Sequence, residues 1–371
     1  MYGIAYYAMT TAAPRIAADL GLDTADVFGL LSIGLLLSAV VSPAIGRWVD
    51  RAGAKRALIW GAAARACVIA GLAAAPEFWT FALLFVGAQM LGPLTEYDAT
   101  FAAAAQVTGD EARLVMSHIT LWGGFASTAF WPASAFLLDT VGWRPMFLIY
   151  ALLMLAVCVP LAALLPARLP VTAPAPRVEG IAAHAGGIDG RFAMLALAFA
   201  FGAIAYNLPS ILLPVLEGLG LGAAAILAGM VFGPAQTAAR LCETLFGSRV
   251  RALTVAVLAT AVLAISLAAL LAAPGALWAA LVFALLFGAG AGVSSVVRGS
   301  VVLELYGRDG YAARLGRLGS VRLLVTAATP FGLALALDRY GAESVVALCL
   351  VATLASLAFF AALHRAKASR R

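Results

Sequence analysis

Charged side chains stranded in long apolar runs are the residues of this sequence best suited to chemistry. Glu96 and Asp98 stand in one such run and Arg298 in another. A charge inside hydrocarbon is costly, so these residues face a bundle interior or a water-filled cavity, where they mark paths for solutes or protons. A guanidinium binds a carboxylate with charge-assisted hydrogen bonds, and a low-dielectric setting favours the neutral form of a carboxylic acid. Arg298 is therefore expected to hold the carboxylate of a solute, with Asp98 or Glu96 carrying a coupled proton. The competing reading is a salt bridge between Asp98 and Arg298 that holds one conformation closed. Positions two apart on a helix point to different faces, so Glu96 and Asp98 do not share a surface. Asp98 is preferred because its candidate partner lies 200 positions on (298 − 98) in a chain that repeats near that period.

Tyr6, Tyr206 and Asn207 complete a plausible lining, since a phenol can donate to a bound anion. Arg65, about 12 Å into its apolar run by helical rise, has no partner evident from the sequence. Enzyme chemistry finds no foothold. There is no phosphate-binding loop, no HExxH, no GxSxG and no cysteine–histidine pair, so neither a cofactor nor a metal is expected. The four cysteines fall in four separate apolar runs and suggest buried thiols rather than a disulfide framework.

A second constellation lies at the end of an apolar run. Gly46-Arg47-Trp48-Val49-Asp50-Arg51-Ala52-Gly53-Ala54-Lys55-Arg56 sets an acid among four cations. These charges belong in water, so the stretch is read as a tight turn between two spanning helices. Arg240-x-x-Glu243 followed by Gly247 echoes Arg47-x-x-Asp50 with Gly53, and reads as an ion pair one helical turn apart.

The elements that position these residues are membrane spans. Of 371 residues, 64% are hydrophobic and 11% charged, far from the roughly 25% charged composition of soluble domains. The net charge of +6 carries no basic–aromatic interleaving, which argues against nucleic acid. With about 20 apolar residues needed per crossing, twelve segments emerge, near 2–14, 26–45, 57–75, 78–105, 114–138, 145–165, 191–216, 223–246, 252–272, 276–303, 319–337 and 343–363. They form two halves, 1–165 and 191–363, joined by a proline-bearing linker at 166–190 and followed by a basic tail at 364–371. Tyr6 and Pro14 match Tyr206 and Pro214, Trp79 answers Trp278, and Pro132 answers Pro330, as expected of a parallel repeat. Of the 24 Lys and Arg, 17 fall in alternate connections beginning with the charged turn, and the opposite connections hold only Arg15, Arg144 and Arg339. This bias places that turn and both termini in the cytoplasm, in a multi-pass protein of the plasma membrane. The first segment lacks the counterpart of Arg191 to Ala200, so the repeat predicts a start upstream of Met1. Glycine-rich faces serve internal packing as readily as dimer contacts, and a monomer is expected.

The spacing G-x-x-x-D-R-x-G-x-K-R at 46–56 resembles the loop between the second and third helices of major facilitator superfamily transporters. Leu121 to Thr128, Trp131-Pro132, Gly142-Trp143-Arg144-Pro145 and Tyr97-Asp98-Ala99-Thr100-Phe101 resemble a group of small bacterial permeases of that superfamily. The resemblance implies twelve helices in two six-helix repeats, a solute site between the halves, and gating by Gly46, Asp50, Arg51, Gly53 and Arg56 against a neighbouring helix end. Arg240 and Glu243 take the matching place in the second half. It further implies alternating-access transport of a small polar solute. A small organic anion such as a monocarboxylate, moved with a proton, fits Arg298 and the tyrosines. The rivals are a cationic or drug-like solute recognised by Glu96 or Asp98, and a non-transporting sensor or scaffold. The fifth segment lacks the G-P-x-x-G antiporter signature, and the fourth carries acids where drug exporters of the family carry a base.

Overall fold

The computed structural model describes residue 4 and residues 8–166, 189–222 and 224–368. Its helices are α1 (Ala8–Leu20), α2 (Thr24–Ala52), α3 (Ala54–Ala74), α4 (Phe78–Met90), α5 (Gly92–Thr95), α6 (Tyr97–Val107), α7 (Ala112–Thr140), α8 (Trp143–Leu153), α9 (Val159–Ala163), α10 (Gly190–Tyr206), α11 (Leu212–Gly218), α12 (Ala224–Phe246), α13 (Ala252–Ala272), α14 (Leu277–Tyr306) and α15 (Tyr311–Ala368). α15 holds two helices joined at Gly341, whose φ of 79° interrupts the helical path. Grouping α4–α6, α8–α9 and α10–α11 as single crossings leaves twelve helical runs among the described residues. Seven of the helices are long and apolar enough to span a bilayer, and the bent pair Phe78–Met90 with Gly92–Val107 makes an eighth. Tyr6, most of the 166–190 linker and the last three residues of the tail lie outside the described residues.

The charged stretch from Gly46 differs from the expected turn. α2 runs on through Asp50 and Arg51 to Ala52, and the chain bends only at Gly53, where φ is 88° and the backbone N–H closes on the Val49 carbonyl. A helix satisfies its own backbone whether its side chains face lipid or water, so it outlasts the apolar run. Likewise, α15 begins at Tyr311 rather than near 319.

The chain forms two compact units. One comprises Met1–Val115, Trp122–Val171 and Arg308–Ala327, and the other Met116–Leu121, Thr172–Gly307 and Ala328–Arg371. Each therefore combines most of one sequence half with the beginning of a helix from the other, α15 in the first unit and α7 in the second. The first unit's core centres on Phe81, Phe85, Trp143 and Phe147, with Phe81 edge-on to Trp143 at 5.9 Å. The second centres on Phe283, Phe287, Leu216 and Leu267. Small residues set the helix spacing, as expected where lipid is as apolar as the core. At Gly290, a Cβ would lie 2.6 Å from Leu263 Cγ, so α13 and α14 approach this closely only with glycine there. Large apolar side chains point outward, with Trp79 74% and Phe331 75% exposed, as suits a lipid-facing surface.

Candidate functional site

Within the first unit the fourth crossing is broken. Pro93, one residue into α5, accounts for the first irregularity, and the two long pieces meet at 48°. The second irregularity has no such local cause. Glu96 is extended (φ −102°, ψ −159°), and no proline or glycine adjoins it. Its cause is tertiary. Arg65 of α3 donates from Nη1 to Thr95 Oγ1 at 2.6 Å and to Glu96 Oε1 at 2.9 Å. Arg65, which had no evident partner in the sequence, thus bridges two consecutive residues at the break. Its side chain has no exposed surface, whereas that of Glu96 is 28% exposed. Arg65 Nε and Nη2 are buried with no hydrogen-bond partner among the described residues. Glu96 occupies the N-cap position of α6, but its side chain does not cap that helix.

Asp98, inside α6, turns elsewhere. Its Oδ2 lies 3.0 Å from where a Cβ on Gly319 would sit. Asp98 also borders a narrow cleft with Ser42, Ile45, Gly46, Pro93 and Gly316, all in the first unit. In the second unit, Arg298 is half-buried on α14. The Tyr206 hydroxyl bonds the Ser294 side chain, one turn before Arg298 on α14, and Asn207 Nδ2 donates to the Ala203 carbonyl at 2.7 Å. Both side chains therefore already have local partners.

The charged constellation near 46–56 has a well-defined target. Asp50 Oδ1 and Oδ2 accept from the backbone N–H groups of Ala312 (3.0 Å) and Ala313 (2.8 Å), in the first turn of α15. A carboxylate there satisfies two of the helix's orphan donors and meets the positive end of its dipole. Gly46 is not at the bend but two turns earlier on α2, where a Cβ would overlap the Ala312 carbonyl. A Cβ on Gly316 would come within 2.5 Å of the Ser42 carbonyl. Both glycines are thus required for the close crossing. Arg51 and Arg56 are exposed. In the second unit the matching acid, Glu243, accepts from Ser117 Oγ near the start of α7. Arg240 Nε donates to the Gly292 carbonyl at 3.4 Å, and Gly247 leaves room for the Glu243 carboxylate.

A further matched pair escaped the sequence reading. Gln106 Oε1 accepts from the Ala54 N–H at 2.8 Å, tying the end of α6 to the start of α3. Glu304 Oε2 accepts from the Leu253 N–H at 3.0 Å, tying the end of α14 to the start of α13. Glu304 also binds Arg251 and Lys367. The signal was present in the repeat, because Gln106 and Glu304 lie 198 positions apart and Ala54 and Leu253 lie 199 apart. Gln106 and Glu304 differ in type and charge, so residue identity does not mark the pair.

The sequence profile of the Major Facilitator Superfamily matches residues 1–330. Among solved structures, the human organic anion transporter MFSD10 (TETRAN) superposes with a TM-score of 0.64 at 16% identity, covering 95% of this chain and 89% of that one. A bacterial homologue of the iron transporter ferroportin, in an outward-facing state, gives 0.65 at 15% identity over 98% of both chains. The same homologue soaked with iron gives 0.67 at 15% identity, again over 98% of both chains. No curated protein matches the sequence. The chain belongs to the Major Facilitator Superfamily, and is a multi-pass membrane transporter of a small-molecule solute rather than an enzyme.

Proposed function

We propose that this transporter carries a small organic anion, such as a monocarboxylate, across the plasma membrane together with a proton, by alternating access and as a monomer with both termini in the cytoplasm. The observation that carries the anion reading is Arg298, a half-buried guanidinium on an otherwise apolar spanning helix. Tyr206 and Asn207, in the same unit, supply polar groups that can exchange their local partners for a solute. Tyr6 has the matching place in the repeat. The coupled proton resides on Glu96 or Asp98. Asp50, with Gly46, Arg51, Gly53 and Arg56, and the pair Arg240 and Glu243 act as the cytoplasmic gates, because each acid holds the first turns of a helix from the other sequence half.

Two fold neighbours, an organic anion transporter and a homologue of an iron transporter, belong to opposite charge classes. The cationic reading rests on Glu96 and Asp98. Proteoliposome uptake decides between them and also tests the sensor reading. With an inward proton gradient, labelled lactate should accumulate, and Arg298→Ala should abolish accumulation. Accumulation of organic cations in its place would overturn the anion reading, and saturable binding without flux would leave a sensor.

A further inference from the structure

The break at Glu96 places three features together: a fully buried guanidinium, the N-terminus of the eleven-residue α6, and a carboxylate that binds the first without capping the second. A guanidinium carries five N–H donors, and of its three nitrogens only Nη1 is engaged, by Thr95 Oγ1 and Glu96 Oε1. Here Nε and Nη2 have no acceptor among the described residues, and buried donors are rarely left so. The helix N-terminus adds positive potential at the same point. Arg65 has no exposed surface and Glu96 has some, so an anion reaching the guanidinium must displace the Glu96 carboxylate.

From this arrangement we infer that Arg65, positioned by Thr95, forms an anion subsite for which the Glu96 side chain is the resident occupant, and that a carboxylate solute exchanges with it when Glu96 takes up a proton. The inference rests on the anion reading above, and assigns the coupling proton to Glu96 in preference to Asp98. The exchange is balanced. In the resting state Arg65 is neutralised by ionised Glu96. In the loaded state it is neutralised by the solute anion, while the proton resides on a Glu96 carboxyl oxygen. No buried cation is left uncompensated, which is the condition for keeping it inside the membrane. One proton moves with one monovalent anion, so the step carries no net charge.

The neighbouring elements leave few rivals for this titration. Between Val27 and Gly46, α2 has no ionisable residue. α3 offers Arg65 and Cys67 along its apolar length, and Lys55 and Arg56 at its first turn. α6 offers Tyr97 and Asp98, the stretch of α7 beside Tyr97 contributes Gly123, and the start of α15 beside Asp98 carries Arg314, Arg317 and Arg322. Asp98 sits against Gly319, with Arg322 one turn further along.

The test is thermal stabilisation of the purified full chain by lactate, acetate and chloride between pH 5.5 and 8. Wild type should bind lactate more tightly as the pH falls, by up to about tenfold per unit for a one-proton exchange. Glu96→Gln should bind at least about tenfold more tightly at pH 8 and lose the pH dependence, whereas Asp98→Asn should retain it. The double variant Arg65→Leu with Glu96→Leu removes both charges, so it keeps the core uncharged and foldable. It should lose the pH-dependent component. Wild-type affinity in Glu96→Gln, or an unchanged pH profile in the double variant, overturns the subsite. If no probe stabilises wild type or Glu96→Gln, the anion reading falls together with it. If Glu96→Gln tightens binding but proteoliposomes accumulate no anion, the subsite stands and the transport reading falls.

Discussion

The fourth and tenth crossings occupy matching places in the repeat yet differ in kind. α14 is a single helix of 30 residues, closely packed through Gly288, Gly290 and Gly292. Its counterpart is divided among α4, α5 and α6 and bends by 48°. Two features set it apart, Pro93 within the crossing itself and Arg65 on the neighbouring helix. Arg65 on α3 corresponds to Ala264 on α13 by the 199-residue offset that relates Ala54 to Leu253. An alanine makes no demand on the helix beside it, whereas the buried guanidinium takes two oxygen atoms, from Thr95 at the end of α5 and from the extended Glu96. Interrupted helices are where transporters of several folds coordinate solutes and ions. The asymmetry therefore separates a half whose crossing is broken beside a buried guanidinium from a half whose crossing is one continuous helix.

Several substitutions break this comparison, and the largest effect comes from the buried pair. Arg65→Leu alone leaves a carboxylate beside apolar surface and should destabilise the fold by about 3–5 kcal/mol, measured by chemical denaturation in detergent. Ala264→Val, at the matching position of α13, should cost far less. The tight crossing of α14 should also be sensitive. Gly290→Ala brings a methyl group to 2.6 Å from Leu263 and should cost about 1–3 kcal/mol by overpacking, whereas Gly87→Ala on α4 should cost little, since a Cβ there meets Val68 at an ordinary 4.0 Å.

The gates sharpen the comparison further. Asp50→Asn weakens acceptance from two backbone donors of α15 and should shift the conformational equilibrium by about 1–2 kcal/mol. Cysteine accessibility at the start of α15 would report it. Glu243→Gln, bonded to the Ser117 hydroxyl, should shift it less. The smallest effect belongs to the helix-start contacts. Gln106→Ala should cost about 1 kcal/mol, and Glu304→Ala somewhat more, because Glu304 also binds Arg251 and Lys367.

Much of this architecture is legible in the sequence, because the requirement for apolar length and for internally satisfied backbone leaves few alternatives to helices. The twelve segments follow from it, and Asp50 with Gly53 announces the end of α2 and the acid that meets α15. The break at Glu96 is not legible, since its cause lies 31 residues away on another helix and the local sequence reads as continuous helix. Gly46 carries no local signal of its role, because glycine serves both bends and close crossings. Only the position of Ala312 shows which applies. The partners of Asp50 are backbone amides, which carry no residue signature. Arg65 was visible as a buried charge, but its partner required the fold.

The most direct test of the asymmetry is lactate accumulation in proteoliposomes under an inward proton gradient, comparing wild type with Glu96→Gln at zero and at imposed membrane potential. The account predicts that wild type accumulates lactate independently of the potential, while Glu96→Gln exchanges lactate across the membrane but cannot concentrate it. Accumulation by Glu96→Gln at the wild-type level would contradict it, and would place the coupling proton elsewhere in the protein.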